Sequence, residues 1–382
     1  MSASTLTLEQ LELGILPALG RELWSWPECV CTIGRSCNQD ECTARVKRLT
    51  RYFQFYKGIV QVYIGESFPS TRVFQTHGGL FAAIQMLKHC PYMTRSEFAR
   101  AITRHNTSEK ALSDAIALVV QTLTMVDCSP VYYSSDVLEQ GNASWTPWKD
   151  EVRFNEYISD LFPKKPHSIL SVPNSDLYNG FTNALRARKL QKHLGIAMRP
   201  TRDLRNHLRF DRKNRVLYIF HHAAFLKEQL KLIKENFSEP VAVALPPRRL
   251  LLETLTSLQE ILFPLSDPRS RALLDTLVTT NSFDPDISVY VYDSIRVEFE
   301  DSQVMSYVYL TDRLADLYAE LQNPSPSGWL ERALERKSSG RYVMMATLGG
   351  VVFAVVLGLL SLIVSIYQTW LTYQAWKHPA TP

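Results

Sequence analysis

Val343–Ile366 reads VMMATLGGVVFAVVLGLLSLIVSI, an unbroken apolar run. At about 1.5 Å per residue, such a helix covers about 36 Å, enough to cross a hydrocarbon core of about 30 Å. Backbone polar groups find no water inside lipid, so a spanning segment must be helical. No charged residue occurs from Val343 to Trp376. Two spans and a turn need roughly 40 residues or more, so the reading is one transmembrane helix, placed at 342–370 with a tail at 371–382.

Flanking charge sets the expected orientation. Arg332, Arg336, Lys337 and Arg341 precede the run, and only Lys377 and His378 follow it. The bulk of the chain is therefore expected in the cytosol. The opening, MSASTLTLEQLELGILPALG, carries Glu9 and Glu12 and a broken apolar run, unlike a secretory signal. With so few residues after the run, the expectation is a tail-anchored protein, with the endoplasmic reticulum as the favoured membrane. Tyr367, Trp370, Tyr373 and Trp376 recur every three residues and read as an aromatic belt at headgroup level. Ala346, Gly350, Ala354 and Gly358 recur every four residues, spacing that lets a second helix approach closely and makes self-association a candidate property.

Outward from this segment the composition is that of a globular protein. Of 382 residues, 46% are hydrophobic and 21% charged, which excludes wholesale disorder. Helical patterns outnumber strand patterns, so the expected fold is a mainly α (α+β) soluble region with a few short strands. Residues 1–48 form a cysteine-containing segment, 49–322 the helical body, and 323–341 a Pro/Ser linker plus an amphipathic surface helix (WLERALERK, Trp329–Lys337). The clearest soluble helix is Glu109–Val126, with Leu112, Ala115, Ile116, Val119, Leu123 and Val126 on one face. Thr94 with Glu97, and Thr7 with Gln10, have capping-box spacing. Helices are also expected at Ala44–Phe55, Gly79–His89, from Pro147 to near Phe162, Leu177–Leu194, Ala223–Phe237, Pro246–Leu262, Pro268–Val278 and Val304–Leu321. GIVQVYIG (Gly58–Gly65) reads as a buried strand, His207–Phe220 as a hairpin, and Ile287, Val289 and Val291 as an alternating strand.

Four cysteines, Cys29, Cys31, Cys37 and Cys42, fall within fourteen residues. Four thiolates could hold a tetrahedral zinc, but the first pair is C-x-C rather than the C-x₂₋₄-C of structural sites. Free thiols are the plainer reading in a reducing cytosol. Arg186–Arg215 holds eleven Lys/Arg against two Asp, so it carries +9 and the rest of the chain −5, although the total is +4. Arg199, Arg202, Arg205, Arg209, Arg212 and Lys213 are candidates for anionic lipid headgroups. A solvated face is the plain alternative, and nucleic acid is disfavoured because aromatic interleaving is thin. His221-His222 is an adjacent pair that cannot converge on one ion from a regular element, and His207 reads as structural beside it. His77-Gly78-Gly79 has no G-x-S-x-G partner. No P-loop, G-x-G-x-x-G, H-E-x-x-H or EF-hand pattern occurs. No cofactor or catalytic residue is expected, and a non-enzymatic accessory role leads over an enzyme acting on a membrane-associated substrate. The sequons at Asn106, Asn142 and Asn236 serve as a topology test.

DLRNHLRFDRKNRVLYIFHHAAFLKE (Asp203–Glu228), LADLYAELQNPSPSGWLERALERKSSGRYVMMATLGG (Leu314–Gly350) and the YQTWLTYQAWKHP tail resemble a family of uncharacterised membrane proteins of filamentous ascomycete fungi. The likeness runs from about Leu49 to the end. It implies a large soluble region, one C-terminal membrane helix and a fungal source, and supplies no activity or catalytic residue; an accessory role beside secondary-metabolite genes is an expectation from that source alone. A remoter likeness is to CorA-type magnesium channels; the chain lacks their Gly-Met-Asn signature and the length for a second span.

Overall fold

The computed structural model describes residues 6–11, 15–26, 40–103, 107–128, 146–165, 176–235, 240–289, 307–324 and 341–377. The chain divides into two compact units, Met1–Pro324 and Ser325–Pro382.

The first unit is mainly helical. Its helices are α1 (Ile15–Trp24), α2 (Asp40–Arg48), α3 (Thr50–Glu66), α4 (His77–His89), α5 (Arg95–Ile102), α6 (Glu109–Thr124), α7 (Phe154–Leu161), α8 (Asp176–Ala184) and α9 (Ala187–Leu194). The strands β1 (Ala197–Thr201), β2 (Arg209–Asp211) and β3 (Val216–Phe220) follow. Then come α10 (Ala223–Glu235), α11 (Pro240–Val243), α12 (Arg248–Thr256), α13 (Pro268–Thr280) and α14 (Thr311–Gln322). The second unit holds α15 (Arg341–Lys377).

Local chemistry explains several boundaries. Thr94 and Glu97 form the complete capping box that opens α5. Ser108 caps α6 through the Ala111 N–H, and the helix ends on Met125 in the left-handed region. Thr76 Oγ1 accepts the Gly79 N–H, so His77-Gly78-Gly79 is the first turn of a helix. The buried Lys88 ammonium donates to the Glu22 and Leu23 carbonyls at 3.0 and 2.9 Å and satisfies the C-terminal end of α1. Burial lowers its pKa to about 8.

The three strands form one sheet in the order β1-β3-β2. β2 and β3 make the expected hairpin, pairing Arg209 with Tyr218 antiparallel. β1 lies parallel to β3 on its other side, with Met198 opposite Leu217. α1 packs on α4 and α10, α3 and α4 on α6, and α10 on α12. Aromatic rings fill the joint between α1, α3 and α10: Trp24 meets Tyr52 edge-on at 5.2 Å, and Tyr52 stacks on Phe225 at 5.1 Å.

Four expectations are corrected. Gly58–Gly65 is the second half of α3, not a strand. Over the longer window the buried residues Tyr52, Phe53, Phe55, Tyr56, Val60 and Tyr63 keep helical spacing, whereas an eight-residue apolar run alone cannot distinguish the two. Ile287 lies in a 3₁₀ turn, Pro285–Ser288, that Asp284 caps, so it is not in a strand; Val291 lies outside the described residues. Gln10 Oε1 does accept the Thr7 N–H at 3.0 Å, but the result is a turn beside the Thr7–Thr76 bridge, because Leu8 and Leu6 spend their backbone on Gln75 and His77. The helix expected from Pro147 starts only at Phe154, since Arg153 is extended and bridges Thr94.

Candidate functional site

The second unit presents an uninterrupted apolar surface. Within α15, Thr347–Gln374 is a 28-residue stretch whose most apolar 18 residues have a mean hydropathy of 2.6, and all of it is exposed. By length and composition it is able to cross a membrane once. Gly350, Ala354 and Gly358 are exposed, and a Cβ at either glycine would meet nothing within 4 Å. Ala346 lies in the same helix. Tyr367 and Trp370 stack at 6.2 Å, and the Lys377 ammonium lies 6.0 Å from the Tyr373 ring centre.

In the first unit the six basic candidates separate into two groups. Arg199, Arg202 and Lys213 are exposed and form no ion pair among the described residues. The other three are engaged. Arg205 grips Asp203 at 2.6 Å and the Asp127 carbonyl at 2.5 Å. Burial alone would lower its pKa, but the Asp203 carboxylate outweighs this and holds it above the ordinary value. The Arg209 guanidinium lies 5.8 Å from the Tyr218 ring centre. Arg212 approaches Asp316 and Glu320 at 3.8 and 3.7 Å. Periodicity could not separate these groups, because the acids that engage Arg212 arrive from α14, about a hundred residues later.

The three histidines of this region lie around Phe220. His207 Nδ1 accepts the Phe220 N–H at 3.2 Å, which places the proton of the neutral ring on Nε2, 2.7 Å from Ser257 Oγ. His221 Nδ1 accepts the Asp284 N–H at 3.1 Å. Burial pushes both rings down to about 3. His222 stacks on His221 at 4.1 Å and lies 5.5 Å from Phe220, with both ring nitrogens buried and unpartnered in the structure. Burial is again the first cause of its lowered pKa, followed by the neighbouring His221 and the Arg202 and Arg51 charges. His221 meets Asp284 through the main chain, while the Asp284 carboxylate itself caps Ala224 N and Asp286 N, both at 3.0 Å. These bonds join structure together and do not form an acid–base pair.

A buried ionic joint lies next to them and carried no sequence signal. Lys227 donates to Asp286 Oδ2 at 2.7 Å and to the Asp286 and Val289 carbonyls at 2.8 and 2.6 Å. Glu228 accepts from Arg48 and from Trp26 Nε1, the latter at 3.1 Å. Amphipathic patterning assigns such charges to solvent, yet every residue from His221 to Leu230 is buried.

Cys29, Cys31 and Cys37, the three sequon asparagines and residues 329–337 lie outside the described residues; Cys42 falls in α2, its side chain also outside them. Among the described residues no group of three or more His, Cys, Asp or Glu is placed to hold a metal ion. Comparison with protein families, with curated proteins and with solved structures returns no match.

Proposed function

We propose that this chain is a single-pass membrane protein whose first unit works as a non-enzymatic accessory scaffold at the cytosolic face. The exposed apolar surface of Thr347–Gln374 carries the reading. Burying each large aliphatic or aromatic side chain contributes roughly 1.5–3 kcal/mol, so leaving the helix in water would cost tens of kcal/mol. A core helix of a soluble protein would have its apolar residues covered, and here none is. The excess of Arg and Lys before the helix supports the cytosolic orientation. The structural use of His207 and His221, and of the Asp284 carboxylate, supports a scaffold over an enzyme. Exposed Arg199, Arg202 and Lys213 support contact with anionic headgroups.

The test is fractionation of the full chain and of a chain lacking 342–382, with the sequons as reporters. The full chain should resist carbonate extraction, the truncated chain should be soluble, and Asn106, Asn142 and Asn236 should carry no glycan. Retention of the truncated chain on membranes would remove the anchor. Glycans on those asparagines would place the first unit in the lumen.

A further inference from the structure

A second feature of the first unit, independent of the membrane reading, lies where α9 and α13 pack together. Their N-terminal ends border one cavity of about 280 Å³, lined by Arg186, Arg188, Lys189, Asp267 and Arg269. Four cations thus face one carboxylate. That carboxylate is already committed to its own helix: Asp267 accepts the Arg269 N–H at 3.1 Å and the Ser270 hydroxyl at 2.9 Å. It meets Arg186 only loosely, at 3.6 Å. Arg188, Lys189 and Arg269 are exposed and form no ion pair among the described residues.

The backbone adds to the side chains. No side chain caps α9. The Lys189 and Leu190 N–H groups both turn back to the Arg186 carbonyl, at 2.8 and 3.1 Å. The N–H groups of Ala187 and Arg188 precede any possible helical acceptor. They sit at the positive end of the helix dipole, beside the cavity, and α13 brings the positive end of a second dipole. Holding like charges together is unfavourable in the empty cavity, and a dianion relieves it.

We propose that this cavity binds a phosphate monoester. Its volume suits a phosphate with a short carbon stub better than a nucleotide cofactor, because pockets for drug-sized ligands run from about 300 to 1,000 Å³. A dianion also matches the surplus of positive side chains better than the single charge of a phosphodiester. The group can come from a soluble phosphorylated metabolite or from the headgroup of a phosphatidic acid, and the chemistry of the cavity is the same for both.

Calorimetric titration of the detergent-solubilised full chain tests the site, with glycerol 3-phosphate as the soluble probe and short-chain phosphatidic acid as the lipid probe. Short-chain phosphatidylcholine is the diester control. Saturable one-site binding is expected for a monoester and none for phosphatidylcholine. The Arg188→Gln/Arg269→Gln variant should weaken binding about tenfold or more, because charge-assisted hydrogen bonds are lost. The Lys149→Gln/Lys231→Gln variant, with the same change in charge at exposed positions outside the cavity, should stay within about twofold. Binding of phosphatidic acid alone assigns the lipid source; equal or tighter binding of glycerol 3-phosphate assigns the soluble one. Lack of saturable binding to either, or equal weakening in both double variants, overturns the site. All of these variants retain 342–382, so failure here leaves the anchor reading untouched.

Discussion

Glu253 Oε2 accepts the backbone N–H of Leu310 at 3.0 Å across 57 residues of chain. The same carboxylate takes the N–H groups of Val308 and Tyr309 at 2.7 and 2.8 Å. It therefore anchors the approach to α14 on α12 from a fully buried position. Burial raises the Glu253 pKa, and the three N–H groups oppose that shift. Removing the carboxylate strands one buried donor, on Leu310, and two half-buried ones, on Val308 and Tyr309. Glu253→Ala should cost about 3 kcal/mol or more, and Glu253→Gln less, since one acceptor remains. Urea unfolding of the full chain in detergent checks the order of the two variants.

The Lys227–Asp286 pair should behave asymmetrically. Removing Lys227 leaves the buried Asp286 with the looser Arg48 contact at 3.8 Å, so Lys227→Met should cost about 3 kcal/mol. Replacing both by apolar residues removes that penalty. Lys227→Met/Asp286→Leu should therefore be more stable than the sum of the single changes allows, measured as a double-mutant cycle. Additivity would show that the two charges are not coupled.

Acid should weaken the first unit before carboxylate titration does. His207 and His221 are pushed down to about 3 and His77 to about 4 by burial, and His222 falls well below the ordinary 6.5. Below pH 6.5 the unfolded chain takes up protons that the folded chain refuses. Stability present above that pH is then lost as pH falls, by up to about 1.4 kcal/mol per ring per pH unit. Asp284, raised to about 6 by burial, runs the other way: folded protein holds its proton while unfolded protein releases it, which offsets about one ring. Glu253 and Asp286 shift upward for the same reason and add to the offset. The measurement is the unfolding midpoint between pH 7 and pH 5, expected to fall with acid.

His222→Phe isolates one of those rings. Phe55, Phe220 and His221 already surround the position with aromatic faces. The substitution keeps the ring and deletes two unpartnered nitrogens, so stability at pH 7 should rise by about 1–3 kcal/mol. The acid slope should flatten by one ring. A loss of stability at pH 7 would mean that His222 has a partner.

How much of this was legible in the sequence depended on which interactions were local. The Thr94–Glu97 box, the Glu109–Thr124 helix and the apolar C-terminal helix are written in residues three or four apart, and all three are present. The β2–β3 hairpin was readable for the same reason. β1 was not, because its Arg-Pro pattern carries no alternation and its pairing partner lies nearly twenty residues on. The buried charges were equally hidden. Lys88, Lys227, Glu228 and Glu253 look like solvated side chains until α1, Asp286, Arg48 and the Val308–Leu310 backbone arrive to meet them. The cavity at Arg186 and Arg269 needs two segments some eighty residues apart, so the basic tract alone pointed to Arg199–Lys213 instead.

Trp26 lies against Gly20 so closely that a Cβ there would come within 2.3 Å of the indole ring. That same indole stacks on Trp24 at 5.5 Å and donates to Glu228, 202 residues away. The bare α-carbon of Gly20 is thus the keyhole for a latch between the opening helix and α10. One added methyl group would lift the indole from its seat and leave Glu228 facing Arg48 without its second donor, so position 20 has no room for a side chain.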